Sequence, residues 1–511
     1  MLAKILSGAV IGVDGFIVQV EVDLARGLPV FSTVGLPEGA VRESKDRVKA
    51  AIRNCGYDFP SRKITVNLAP ASMKKEGAGY DLPIALGILA ASGTIKCPGL
   101  EHIAVVGELS LDGSVCPVRG ILPMILAARE NGIKRFFVPQ DNADEAGVVN
   151  GLEIIPVSRL DEAVEMLAGT KECTPMVTDV ASVFRNNLEY SVDFAEVRGQ
   201  EHAKRAMEVA AAGGHNILLN GVPGTGKTMM ARRLATILPE LCLEEALETT
   251  KVYSTTGLLP EKNPLMVQRP FRSPHHTISD AGLIGGGQIP RPGEVSLAHN
   301  GVLFLDELAE FRKNVLEVMR QPLEDGVVTI SRASSSLRFP ARFMLVAAMN
   351  PCPCGYYGDQ TKECTCTPIQ IQRYQSRLSG PLLDRIDMHV EVPAVKVRDM
   401  EKGADGVSSA TMRERVKTAR QIQDERYKDE DGVYNNAQMG PAQMKKYCQL
   451  DSTGTAILHR SVEHFGLSAR AYHRILKIAR TIADLDTSDA IAARHVTEAV
   501  QYRRLQSANL I

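Results

Sequence analysis

The chain has 511 residues, room for about three domains of ~150 residues, each long enough to bury a core of its own. Hydrophobic residues at 44% and charged ones at 23% exclude a disordered or fibrous chain, and 59 Lys and Arg against 60 Asp and Glu exclude a basic field over the whole surface, so any nucleic-acid contact has to be local. No apolar run approaches ~18 residues, which predicts a cytoplasmic chain, and its 10 cysteines are then no disulfide framework; Cys55, Cys97, Cys116, Cys173, Cys242 and Cys448 lie scattered and are expected as small buried hydrophobes.

Strand-like runs such as Phe16 to Val22 and Ile64 to Leu68 alternate with helical stretches from Met1 to about Gly169, which predicts an α/β domain over 1–169. The stretch Ala40 to Cys55 carries Val41, Val48 and Ile52 on one side and stops at Gly56, as a helix closed by a left-handed cap does. Two segments, KKEGAGYDLPIALGILAAS from Lys74 and GELSLDGSVCPVRGILPMILAAREN from Gly107, resemble the proteolytic domain of Lon-type proteases, in which a Lys amine activates a Ser nucleophile. Aligning Lys75-Glu76-Gly77 with that pattern puts Gly79 at the nucleophile position, and aligning Gly107 to Gly120 puts Leu122 at the position of the lysine. Glycine has nothing to attack with and leucine takes no proton. Ser72, Ser110 and Ser114 are near in sequence but none matches, so the domain is expected to serve assembly or to guide a substrate rather than to cleave peptides.

Residues 170–191, polar and holding Pro175, read as a linker to an α/β core over 192–395. The segment FAEVRGQEHAKRAMEVAAAGGHNILLN holds a helix with Ala203, Met207 and Ala210 on one face, either plain packing or a wall against an adenine base. The apolar run Ile217 to Leu219 then enters GVPGTGKT, and Met230, Leu234, Ile237 and Leu238 recur behind it at helical spacing. Strand, glycine-rich loop and helix in that order make a phosphate cradle of Gly221, Val222, Pro223, Gly224, Thr225, Gly226, Lys227 and Thr228. Its backbone N–H groups face a triphosphate, Lys227 reaches the β- and γ-phosphates of ATP, and Thr228 ligates Mg²⁺.

The segment Arg269 to Arg291 follows, with three glycines from Gly285 to Gly287 beside Arg272, His275 and His276, and is expected as a mobile loop offering donors to phosphate oxygens. His275 and His276 are poor metal ligands if extended, since neighbouring side chains then point to opposite faces. Four apolar residues, Val302 to Leu305, form a buried strand delivering Asp306, as a second Mg²⁺ holder, and Glu307, placed to polarise an attacking water. The run VVTISRASSSLRFPARFML reads as a hairpin turning at Ser334 to Ser336, with Arg332 and Arg338 near its tip as candidate contacts to a polyanion, a solvated hairpin being the plainer alternative. A third strand, Phe343 to Met349, ends at Asn350, whose amide is either a turn former or the group that fixes the water.

Cys352, Cys354, Cys364 and Cys366 form two C-x-C pairs nine residues apart, a thiolate set suited to tetrahedral Zn²⁺. In SGPLLDRID, Arg385 carries a permanent charge fit for the transition state of phosphoryl transfer and can be supplied by a neighbouring copy. Residues 396–511 turn helical: a charged helix from Met412 to Tyr427, a break at DEDGVYNNAQMG and three further helices ending near Leu505, a lid in which Arg470 is the candidate for the γ-phosphate and Arg474 and Arg480 are its rivals.

Together these residues resemble the AAA+ ATPases, within them the branch of magnesium-chelatase motor subunits and MCM helicases, and most closely the ComM/YifB family of magnesium-chelatase-like proteins. RPFRSPHHTISDAGLIGGG, IPRPGEVSLAHNGVLFLDELAEF, the Lon-like front and the tail helix carry the resemblance across nearly the whole chain. It implies an α/β multidomain fold, with a Lon-like front, an AAA+ core and a helical lid. It also implies a hexameric ATPase acting on DNA, a helicase that promotes branch migration when incoming single-stranded DNA is integrated by homologous recombination, with such hairpins lining the central channel. The rival readings are the motor subunit of a metal-insertion enzyme, which remodels a protein partner, and an ATP-dependent protease, which Gly79 and Leu122 oppose.

Overall fold

The structure, a computed structural model, describes residues 1–186, 190–260, 263–287, 290–332, 335–359, 362–394, 406–430 and 432–503. Ser334 of the expected hairpin turn, the boundary at 396 and the chain end near Leu505 lie outside them. No described helix is long and apolar enough to cross a membrane. The chain divides into two compact units, Met1–Leu188 with Leu243–Val267, and Glu189–Cys242 with Gln268–Ile511.

The first unit is built on a seven-stranded mixed sheet in the order Phe31–Val34, Lys63–Ala69, Asp14–Ala25, Leu2–Ile11, Ile103–Val105, Arg135–Pro139, Glu153–Val157. Val18, Val20, Val22 and Leu24 are buried at every second position of Asp14–Ala25, the period-two signature of a strand with one face on a core. One core lies beneath Gly39–Asn54, Asp81–Ser92 and Leu160–Ala168, and a second is formed around Ile121–Glu130. The helix Gly39–Asn54 buries Val41, Val48 and Ile52 and is followed by Gly56 at φ 83°, the left-handed closure its sequence calls for. The helix Leu243–Thr256, which follows the phosphate loop in sequence, belongs to this unit: Ser254 accepts from the Gly120 N–H at 3.0 Å, and Leu247 packs on the second core. Along 170–191, Met176 pairs with Ile154 of the edge strand, and Val180–Asn186 forms a helix.

The second unit holds five parallel strands in the order Phe271–Arg272, Val302–Leu305, Met344–Met349, Ile217–Asn220, Met388–Glu391. Parallel sheets are covered on both faces, which is why Ile217 to Leu219 and Val302 to Leu305 read as unbroken apolar runs and are all buried. The C-terminal helices Ser409–Tyr427, Pro441–Tyr447, Ser452–Phe465, Ala469–Leu485 and Ala493–Gln501 share one continuous core with this sheet. Among the described residues four helices therefore follow the charged one rather than the expected three. The extra helix, Pro441–Tyr447, has 7 residues, too few for a hydrophobic period to register.

Candidate functional site

The site lies where the central strands of the second unit end. Asn220, Leu305 and Met349 are the last residues of neighbouring parallel strands, so the residues after them, Gly221, Asp306 and Asn350, emerge along one edge of the sheet. Ligands of open parallel sheets bind in this crevice. The loop from Gly221 runs so close to the backbone of Val392 that a Cβ on Gly221 would fall 2.3 Å from its carbonyl oxygen. Gly226 takes φ 86° directly before the helix Lys227–Leu234, a left-handed step glycine makes without steric cost.

Lys227 is buried, and its Nζ donates to the carbonyls of Gly221 at 2.5 Å and Val222 at 2.9 Å and to Asn350 Oδ1 at 3.2 Å. Burial pushes this ammonium down to about 8, against the attraction of Asp306. A buried cation satisfied only by neutral oxygens, in a loop whose N–H groups open a helix, is the donor set an anionic ligand completes. Thr228 Oγ1 donates to Asp306 Oδ2 at 2.6 Å, so the two oxygens expected on Mg²⁺ already touch. Glu307 follows with φ 54° and ψ 46°, and its N–H donates to Asp306 Oδ1 at 3.0 Å. A left-handed non-glycine residue costs about 1–3 kcal/mol and is characteristic of working sites.

The arginines divide into committed and exposed ones. Arg474 pairs with the buried Asp387, and Arg480 with the fully buried Asp484, so both rivals of Arg470 hold the C-terminal helices in place. Arg470 is exposed in the first turn of Ala469–Leu485. Arg385 donates to Glu324 and, at 2.7 Å, to the Pro381 carbonyl. The Glu324 carboxyl is held below its ordinary range first by that Arg385 bond, with Arg470 and Arg474 adding to it. Three guanidinium groups thus gather around Glu324, which no motif or periodic pattern in the sequence singles out. This cluster stands at the edge of the sheet opposite the phosphate loop, because Arg385 precedes the strand Met388–Glu391 and its carbonyl accepts from Asn216, just ahead of Ile217–Asn220.

Of the expected DNA contacts, Arg272 is held by Glu294 in two bonds of 2.7 Å. The segment after it turns instead of staying extended: Ile278 N–H bonds the His275 carbonyl at 3.0 Å and brings the two imidazoles to 4.1 Å between centroids. This corrects the expectation of opposed side chains. His275 is exposed, whereas His276 places Nδ1 3.2 Å from Glu307 Oε2. Gly285–Gly286 pairs with Arg291–Pro292 as a small hairpin. In the second hairpin, Val327–Arg332 pairs with Ser335–Pro340, and Arg332 lies beside the turn. Arg338 stands opposite Thr329 in mid-strand, on the other face from Arg332, so the two are exposed but do not share a tip as expected.

The Sγ atoms of Cys352, Cys354, Cys364 and Cys366 all lie within 4.8 Å of one another, and all four are free: the sulfur pairs Cys352–Cys354, Cys354–Cys364 and Cys352–Cys364 stand at 3.3, 3.5 and 3.7 Å, beyond the ~2.05 Å of a disulfide. The Cys354 N–H donates to Cys366 Sγ and the Tyr357 N–H to Cys352 Sγ, both at 3.3 Å. The knot abuts the nucleotide-side loop, since a Cβ on Gly355 would fall 2.7 Å from Pro223. Of the six scattered cysteines only Cys448 is buried, and Cys242 is exposed, which corrects their expected burial; a single small residue in a polar stretch carries no periodic signal.

At the Lon-like positions, Leu122 is fully buried and a Cβ on Gly79 would meet Val106 at 3.1 Å. Ser110 contacts Cys116 Sγ at 3.1 Å, Ser114 donates to Asp112 Oδ2 at 3.0 Å, and Ser72 is exposed.

The family described as magnesium chelatase, subunit ChlI, matches residues 193–400, with the related descriptions subunit ChlI of Mg-chelatase at 20–142 and subunit ChlI C-terminal at 406–503. The chain is 44% identical over 506 residues to the uncharacterized protein YifB of Escherichia coli, covering 99% of this chain and 97% of that one. It is 44% identical over 511 residues to the competence protein ComM of Haemophilus influenzae, covering 99% and 98%. The Lon protease of Azorhizobium caulinodans is 29% identical over 164 residues, 30% of this chain and 19% of that protein. Nucleotide and Mg²⁺ use go with such a family, and so does assembly from several copies. With matched segments in all three parts of the chain and end-to-end similarity to both relatives, the chain belongs to the ComM/YifB family of magnesium-chelatase-like AAA+ proteins.

Proposed function

We propose that this chain is an ATP-hydrolysing motor that works in the cytoplasm as a hexameric ring and translocates on DNA to promote branch migration as incoming single-stranded DNA is recombined. In this reading 1–169 is a Lon-like layer without peptidase activity, 192–395 the motor core and 396–511 the lid. The observation that supports it best is the end-to-end similarity to a protein named for competence, in a chain whose phosphate loop, Asp306, Glu307 and Asn350 meet at one sheet edge.

Lys227 and the loop N–H groups hold the triphosphate, and Thr228 and Asp306 hold Mg²⁺, which when bound neutralises charge on the phosphate oxygens. Asn350 orients the water and Glu307 draws its proton as it attacks. Arg385 and Arg470 serve the next copy. Each sheet strand between Arg385 and the phosphate loop has 4 residues, a span of ~13 Å that an arginine side chain does not cross. The four thiolates hold Zn²⁺ as a brace behind Pro223. Protein purified without a histidine tag is expected to carry about one zinc per chain by elemental analysis, and less than about half would sink the brace.

The Lys227 ammonium gives a pH signature. In the empty pocket its ionisation is pushed down to about 8 by burial, and a bound triphosphate restores the charged form. Affinity is therefore full well below pH 8 and is lost as the pH rises through about 8, and MgATP binding takes up more protons at pH 8.5 than at pH 7. Calorimetric titration in buffers of different ionisation heat reads this uptake; a value flat with pH counts against it.

The deciding experiment is the ATPase rate with and without single-stranded or forked DNA. Several-fold stimulation is expected; no stimulation together with no DNA retention at low salt would overturn the DNA reading in favour of a protein-remodelling motor.

A further inference from the structure

Asn216 enters the sheet between two neighbours. The helix Glu201–Gly213 closes on Gly214 at φ 71°, and the strand Ile217–Asn220 begins shortly after, paired with Met344–Met349 on one side and Met388–Glu391 on the other. The parallel register at Ile217 sets Asn216 level with Leu345 and Asp387. Each of its polar atoms is used. Its Oδ1 accepts from the Leu345 N–H at 2.8 Å and its Nδ2 donates to the Arg385 carbonyl at 3.1 Å. Its N–H donates to Asp387 Oδ2 at 2.9 Å, and its carbonyl accepts from the Asp387 and Met388 N–H groups, both at 3.0 Å.

The side chain holds the main chain at Arg385. Three successive carbonyls are taken there by side chains from elsewhere in the fold: that of Arg385 by Asn216, and those of Ile386 and Asp387 by the buried Arg503. Arg474 reaches Asp387 from the helix Ala469–Leu485. The helical part of the unit thus pins the residues after Arg385, and the sheet pins Arg385 itself. An asparagine needed only to open its strand is served by the main-chain bonds to Asp387 and Met388; this one also reaches back past its level partner to Arg385.

We propose that Asn216 is a positioning residue for hydrolysis in the neighbouring copy: its amide fixes the main chain at Arg385, so that the guanidinium is presented across the seam in one place. The proposal rests on the reading of Arg385 as a group supplied in trans. A guanidinium on a flexible stem is placed no better than the backbone that carries it, and a misplacement of about 1 Å costs on the order of a hundredfold in rate. The phosphate loop lies at the far end of the strand Asn216 opens, yet a defect here appears one subunit away. The variant fills its own pocket normally and fails its neighbour.

The test uses Asn216→Asp in the full chain. The carboxylate is nearly isosteric at this partly buried position. It still accepts from the Leu345 N–H but has no hydrogen for the Arg385 carbonyl, so the anchor is deleted from a side chain of unchanged shape. Asn216→Ala, which removes both side-chain bonds, is carried beside it. Each alone should lose roughly twenty- to a hundredfold in kcat, with equilibrium affinity for ATP within about twofold of wild type and unchanged assembly. Mixed in equal amounts with Glu307→Gln, which keeps Arg385 and lacks the base, each should recover about a quarter of the wild-type rate, since half the pockets keep the base and half the neighbours present the arginine. A residue that shaped only its own phosphate loop would leave the mixture silent, because the pocket that keeps the base would be the damaged one. That silence overturns the proposal, as does a wild-type rate in Asn216→Asp, or loss of assembly in both variants, which would assign Asn216 to the fold alone. Arg385→Ala mixed with Glu307→Gln is the control. If it too stays silent, the trans reading of Arg385 falls and the proposal with it; if it recovers while the Asn216 mixtures do not, the trans reading stands and the role of Asn216 alone is lost.

Discussion

Glu307→Gln should bind ATP and assemble as the wild type does while losing at least about a hundredfold in turnover. A positioned general base contributes roughly 10²–10⁴ in rate, and an amide cannot take the water's proton. The substitution is nearly isosteric at an exposed side chain, so it changes chemistry more than packing. The backbone also tolerates the exchange, since Glu307 holds its left-handed turn through its N–H bond to Asp306 Oδ1 at 3.0 Å, a contact that does not involve its own side chain. Equilibrium nucleotide binding and solution mass at saturating ATP, set beside single-turnover hydrolysis, check the prediction. Normal hydrolysis would remove Glu307 from its role, and loss of binding would show that the carboxylate shapes the pocket rather than the chemistry.

The sequence made the near half of this site readable because its signals are local. GVPGTGKT, the strand running into Asp306 and Glu307, and the strand ending at Asn350 each declare themselves within about ten residues, through glycine placement and unbroken apolar runs. The arginines did not. Arg470, Arg474 and Arg480 sit on one helix with equal claims, and what separates them is pairing across the fold, Arg474 with Asp387 at 87 residues' distance in the chain. Glu324 escaped notice for the same reason, as its importance comes entirely from the guanidinium groups that converge on it. His276 was legible as a polar residue beside glycines, but its direction depended on a turn at His275 that an extended reading reversed. The helix Leu243–Thr256 shows the same limit at the level of the fold. Nothing in its own residues says that a segment lying between the phosphate loop and Asp306 packs with the first unit.

Mixing two inactive variants should restore activity. Arg385→Ala keeps an intact pocket and lacks the guanidinium for its neighbour, while Glu307→Gln keeps the guanidinium and lacks the base. Removal of an arginine supplied in trans costs roughly 10³–10⁵ in phosphoryl-transfer rate, so each variant alone should be close to silent. In rings assembled at random from equal amounts, half the pockets are intact and half the neighbours carry Arg385, so about a quarter of the seams, and of the wild-type rate, should return. The expectation follows from position: Arg385 stands at the sheet edge opposite its own phosphate loop, tied to the Asn216 amide through its carbonyl at 3.1 Å, and in the lone subunit its guanidinium is occupied by Glu324. Docking against an anionic pocket has to displace that carboxylate, so Glu324→Gln should ease assembly and shift ring formation to lower protein concentration, read by solution mass across a dilution series. If the mixture stays as inactive as its parts while both variants still assemble together, Arg385 does not act across the seam. If Arg385→Ala alone hydrolyses ATP at the wild-type rate, the guanidinium has no part in the reaction and Glu324 holds it for structure only.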